Sequence, residues 1–117
     1  MSNIERKQTN SRLSRIVVHN HTVYVAGTTA DKRPSDAEEQ TAEILQKIDG
    51  YLATVGTDKT RLLSAQVWIA DMQEDFAGMN RAWERWVPQG MAPTRATCAV
   101  GLGAPDTRVE ILITAAV

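Results

Sequence analysis

The residue best suited to grip an anion is Arg95, in the segment Ala92-Pro93-Thr94-Arg95-Ala96-Thr97-Cys98-Ala99-Val100. Strand alternation places Arg95, Thr97 and Ala99 on one face and Ala96, Cys98 and Val100 on the other. An arginine among small and apolar neighbours is costly to bury without a counter-charge, and its planar fork matches a carboxylate with two parallel hydrogen bonds. Two partners fit this pattern. One is Glu110, expected on the adjacent final strand, which would make a structural ion pair; the other is the carboxylate of a ligand. Cys98 reads as a small buried hydrophobe, because no histidine has a predictable place beside it to activate a thiol. His19 and His21 bracket a turn without clustered Asp, Glu or Cys, so no metal site is expected. Gly101-Leu102-Gly103 precedes a strand rather than a helix and is therefore a turn, not a phosphate cradle.

The elements that must position Arg95 follow from hydrophobic periodicity. Arg12 to Asn20 carries the trio Ile16, Val17 and Val18, and Val23 to Gly27 alternates in strand fashion, so the two form a hairpin about His19-Asn20-His21-Thr22. Ser35, with Glu38 three residues on, makes a capping box for a helix. Its apolar positions Ala37, Ile44, Leu45, Ile48, Leu52 and Val55 keep helical spacing, and Gly56 stands where a left-handed residue would stop it. Leu62 to Ala70 returns to period two, with Leu63, Ala65, Val67 and Ile69 on one face. Asp71 and Glu74 form a second capping box, followed by Phe76, Met79, Trp83, Trp86 and Val87 at helical spacing up to Pro88. Trp83 and Trp86 read as core packing. Thr94 to Val100 and Thr107 to Ala116 complete the chain as strands joined by the Gly101 to Asp106 turn. The order β-β-α-β-α-β-β predicts an α+β, two-layer domain over residues 1–117, with both helices on one face of a mixed sheet.

The 117 residues suffice for one core and not for two. A net charge of -1 and basic residues set beside acidic ones, as in Arg81, Glu84 and Arg85, exclude the basic stripe of a nucleic-acid binder. No run approaches membrane-spanning length, Met1 to Arg15 holds no signal-peptide core, and the single cysteine fits a reducing compartment; a cytoplasmic protein is expected. The sheet face away from the helices is half apolar, with Leu62 and Trp68 beside Ser64 and Gln66, and Leu112 beside Glu110 and Thr114. An exposed patch of this kind, on the order of several hundred Å², argues for burial against another subunit.

Several segments, in one order over nearly the whole chain, resemble the RidA/YjgF family of reactive intermediate deaminases. They are Val23-Tyr24-Val25-Ala26-Gly27-Thr28, Asp75-Phe76-Ala77-Gly78-Met79-Asn80 with Trp83, Ala92-Pro93-Thr94-Arg95, and Val109-Glu110-Ile111. The resemblance implies a chorismate-mutase-like fold and a homotrimer with sites in clefts between subunits. It also implies hydrolysis of 2-imino and enamino acids to 2-keto acids and ammonia, without cofactor. Arg95 would hold the substrate carboxylate, helped by backbone groups at Gly27 and Thr97. The resemblance implies a further glutamate two residues beyond Glu110, where this chain has Leu112. The group that handles water is therefore open, with Glu110 one choice and a purely packing carboxylate the other.

Two rival functions remain at this level. The same cleft could bind a keto acid or other small carboxylate without turnover, or the fold could carry a chorismate-mutase-like isomerase. The isomerase would want several cationic groups around a dicarboxylate, and the sequence offers one arginine in position.

Overall fold

The computed structural model describes residues 3–117. It contains β1 (Glu5–Thr9), β2 (Ser14–His19), β3 (Thr22–Thr28), α1 (Ala37–Ala53), a short 3₁₀ turn (Lys59–Arg61), β4 (Leu62–Ile69), α2 (Met72–Trp86), β5 (Thr94–Ala99) and β6 (Val109–Ala116). The six strands form one sheet in the order β1-β2-β3-β6-β4-β5. β3 and β4 each run antiparallel to β6, and β4 runs parallel to β5. The chain thus makes two successive strand-helix-strand crossovers, β3-α1-β4 and β4-α2-β5, and the expected two-layer α+β architecture is borne out.

The extra strand is β1. Glu5-Arg6-Lys7-Gln8-Thr9 is polar throughout and almost wholly exposed, so it has no alternation to betray it. It is held by backbone pairing to β2, with Lys7 opposite Ile16 and Thr9 opposite Ser14. Edge strands with charged side chains are an ordinary way of ending a sheet.

The core lies between the helices and one sheet face. Ile44, Leu45, Ile48 and Leu52 of α1 and Met79 and Trp83 of α2 meet Ile16, Val23, Val25, Ala65, Val67, Ile69, Val109, Ile111 and Ile113. Fully burying a Leu or Ile side chain is worth roughly 1.5–3 kcal/mol, so this layer fixes which face each strand turns inward. At the start of β4 the register shifts between Leu62 and Ser64. Leu62 is buried there and Leu63 is 48 % exposed, which corrects the simple alternation expected for that strand.

The helix caps also differ in detail. Asp36, not Ser35, caps α1 by accepting the Glu39 amide, while the Ser35 hydroxyl donates to the Lys32 carbonyl. At α2, Asp71 accepts the Glu74 amide as expected, but the Asp71 amide donates in return to the Asp75 carboxylate rather than to Glu74. Gly56 has the left-handed φ of 77°, two residues past the Thr54 cap, and its amide reaches the Ala53 carbonyl.

Two polar staples tie the layers near the start of β6. Buried Gln40 donates to the Ser35 and Asp106 carbonyls and accepts the Arg108 amide. The Arg108 guanidinium donates to both oxygens of buried Asp75, at 3.1 and 2.8 Å, and to Glu74. These hydrogen bonds to Asp75 raise the pKa of Arg108 further above its ordinary value, and the pair fixes the first turn of α2 to the sheet.

Candidate active site

Arg95 sits on β5, an edge strand, opposite Ala65 of β4. Because Ala65 belongs to the core face, Arg95 and Thr97 turn toward the helix layer. The guanidinium lies 5.5 Å from the Trp83 ring centroid, and Nη1 approaches the Met79 sulfur at 3.7 Å. Stacking on tryptophan and contact with a thioether hold the side chain without neutralising it. Among the described residues Arg95 makes no ion pair. Burial lowers its pKa from the ordinary arginine value, with the more distant Glu84 charge acting in the opposite sense. Two residues along the same face, the Thr97 hydroxyl is buried and has no hydrogen-bond partner. A buried polar atom left unsatisfied is unusual and costly.

The ion pair between Arg95 and Glu110 does not form. β4 lies between β5 and β6, and Glu110 pairs with Trp68 on the opposite sheet face from Arg95. Alternation along each strand was readable, but the insertion of β4 between the last two strands was not. Cys98, expected to be a buried hydrophobe, is exposed, because β5 is an edge strand whose second face no element of the described chain covers.

Glu110 is instead brought to Gly27. β3 is irregular between Val25 and Thr28, and a Cβ placed on Gly27 would collide with the Glu110 carboxylate. Glycine at this position is a matter of close approach, and no other residue fits without displacing Glu110. The Gly27 carbonyl accepts a hydrogen bond from the Arg15 guanidinium. The four site residues expected from the sequence therefore fall into two groups in one chain: Arg95 with Thr97, and Gly27 with Glu110. Met79 and Trp83 complete the first group. Their helical spacing marked them as core, and nothing in the sequence showed that a cation would rest on that core.

On the face away from the helices, half-buried Val17, Trp68 and Leu112 accompany Tyr24, which is 48 % exposed. Ser64 and Thr114 share a hydroxyl hydrogen bond of 2.6 Å there, so this face mixes polar and apolar groups as the sequence suggested. Among the described residues no group of three His, Cys, Asp or Glu side chains could hold a metal ion, and no helix among them is long and apolar enough to cross a membrane.

The profile of the family described as Endoribonuclease L-PSP matches residues 4–117. The RutC family protein YoaB of Escherichia coli is 44 % identical over 97 % of this chain and 98 % of its own length. The chain belongs to the YjgF/RidA family. A RutC family protein of Haemophilus ducreyi is 42 % identical over 97 % of both chains. A solved member of the YjgF protein family from Neisseria meningitidis superposes with a TM-score of 0.93 at 38 % identity, over 97 % of this chain and 94 % of that one. The family match over residues 4–117 takes in every strand and helix, the extra N-terminal strand included.

Proposed function

We propose that this protein hydrolyses reactive 2-imino and enamino acids to 2-keto acids and ammonia, with Arg95 holding the substrate carboxylate. The observation that carries this reading is a partly desolvated guanidinium, stacked on Trp83 and without a carboxylate partner among the described residues, beside the unsatisfied Thr97 hydroxyl. A bound carboxylate answers both. It accepts the two parallel N–H groups of the fork, and its second lone pairs are available to the Thr97 hydroxyl or amide. Such a pairing is strengthened by the partly buried setting.

The chemistry then asks little of the protein. An iminium carbon is already electrophilic, so fixing the carboxylate fixes the reacting carbon relative to water. Water adds to the C=N carbon and a proton moves to nitrogen; the C–N bond of the resulting carbinolamine breaks, and ammonia leaves as the carbonyl forms. The step is redox-neutral and balances without a cofactor.

A homotrimer completes the site. Gly27 and Glu110 cannot reach Arg95 and Thr97 within one chain, whereas a neighbouring copy set against the open edge of β5 and the half-apolar sheet face brings the two groups together. Glu110 then supplies the carboxylate that accepts or returns the proton of the attacking water. The lone cysteine fits the reducing conditions of the cytoplasm.

A second reading is binding of a keto acid without turnover. It is favoured by the absence, among the described residues, of a carboxylate paired with Arg95. Imines generated continuously by an amino-acid oxidase, in competition with a nucleophilic trap, separate the two. Faster keto-acid and ammonia formation in the presence of the protein supports hydrolysis. Unchanged rates, together with measurable keto-acid binding, support the binding module.

A further inference from the structure

A second cation lies unused toward the other end of the sheet, on β2, with three strands between it and β5. A cavity of about 570 Å³ opens there between α1 and the ends of β2 and β3, a size within the usual range for small-molecule sites. Arg15 forms part of its wall. The guanidinium carbon stands 5.8 Å from the Tyr51 ring centroid, one terminal nitrogen donates to the Gly27 carbonyl, and Nε is buried without a partner. No ion pair involves Arg15 among the described residues.

The other cation in the wall is already answered. Lys47 meets Asp31 at 2.9 Å, Glu43 at 3.7 Å and the Thr29 carbonyl at 2.8 Å. Arg15 is therefore the cation of this wall that has no ion pair among the described residues.

Two backbone features point the same way. Gln8, which also lines the cavity, falls between the registered pairs Lys7 with Ile16 and Thr9 with Ser14, and takes a left-handed φ of 52°. A non-glycine residue held there is strained, and such strain persists where surrounding structure or a ligand over-determines it. Gly50 stands inside α1, where glycine weakens a helix relative to alanine. Yet a Cβ there would meet nothing within 4 Å. No contact in the chain demands this glycine, and the missing side chain enlarges the cavity.

We propose that this cavity binds a small organic monocarboxylate, which pairs with the terminal N–H groups of the Arg15 guanidinium that the Gly27 carbonyl leaves free. Hydroxyl, keto or amino substituents of the ligand then face Gln8, Thr29 and Thr54. The single unpaired charge, with Asp31 in the same wall, disfavours dianionic phosphate. The site lies apart from Arg95, although Arg15 also holds the carbonyl of Gly27; Arg95→Gln separates a failure here from a failure of the proposed hydrolysis.

Amide NMR of the full-length protein in its natural assembly tests this, with lactate, 2-oxobutanoate, alanine and inorganic phosphate as probes at constant ionic strength. At least one of the three carboxylates shifts the amides of Thr29, Gly50 and Tyr51 saturably, and phosphate does not. Arg15→Gln weakens that binding about tenfold or more, since glutamine carries no charge. Gly50→Leu, which fills the cavity while favouring the helix, weakens it similarly and keeps the test open should Arg15→Gln not fold. Arg95→Gln leaves these shifts and their midpoint unchanged. The proposal is overturned if no carboxylate shifts these amides, if phosphate shifts them equally well, if Gly50→Leu binds normally, or if the shifts vanish with Arg95→Gln.

Discussion

Replacing Arg95 by lysine keeps the charge and removes the fork. Among the described residues Arg95 has no ion pair to lose, only its stacking on Trp83 and its contact with Met79, so the stability cost is limited to about 1 kcal/mol. In the substrate complex the loss is larger, because a bidentate, partly desolvated carboxylate pair is broken; about 2–5 kcal/mol is typical for such a truncation. At 1.36 kcal/mol per decade this lowers kcat/KM by roughly 30-fold to 5,000-fold. Arg95→Ala falls at the severe end of that range and Arg95→Lys nearer the mild end. The assay is keto-acid and ammonia release from imines made in situ, with thermal unfolding measured on the same samples. An Arg95→Ala protein that unfolds at a normal temperature and hydrolyses imines at the normal rate refutes the carboxylate-holding role. A protein that loses activity only because it unfolds refutes the claim that Arg95 carries little structural weight.

The remaining predictions concern the second group, the ionic surface and the assembly. Glu110→Gln lowers turnover by about 10² to 10⁴ while leaving keto-acid affinity within about twofold, as for a lost general base; separate Kd and kcat measurements check this, and a defect in affinity alone contradicts it. Gly27→Ala forces a methyl group into the Glu110 carboxylate and costs about 1–3 kcal/mol, an overpacking penalty readable in a denaturant titration. Glu38 is held below its ordinary pKa of 4.5 by the Arg85 and Arg81 side chains, Glu43 by the Asp31 and Lys32 amides, and Asp58 by the Thr60 hydroxyl and amide. Their folded values are depressed, so their contribution is fully present above the unfolded values and is lost as pH falls through the folded ones; thermal stability therefore declines below about pH 4.5. Sedimentation gives a trimer, and a concentration-independent species of 12.9 kDa removes the shared-cleft account.

Much of this molecule was legible in the chain because burial imposes a period. The inward sets Ile44-Leu45-Ile48-Leu52 and Ala65-Val67-Ile69 were readable from spacing alone, and Arg95 stood out as a charge where small and apolar residues surround it. What was hidden depends on backbone pairing or on distance in sequence. β1 buries no side chain, so its hydrogen bonds leave no pattern. The placement of β4 between β5 and β6 is a topological choice that alternation does not encode, and with it went the expected pairing of Arg95 with Glu110. The closeness of Gly27 and Glu110 comes from an irregularity in β3, visible in sequence only as a glycine. Arg15, one polar residue among several at the start of β2, gave no sign that its Nε would be buried.

The peptide of Gly27 has a consequence beyond its fit against Glu110. Its carbonyl is held by Arg15 at the cavity beside α1, and its α-carbon is pressed against a carboxylate on the far side of the sheet. A planar peptide can turn about the line joining its two α-carbons without moving either of them. Arg15 blocks that turn by holding the carbonyl, while the Glu110 carboxylate leaves no room for a side chain on the α-carbon. Two contacts on opposite sides of the sheet thus fix different freedoms of one residue, at the irregular end of β3.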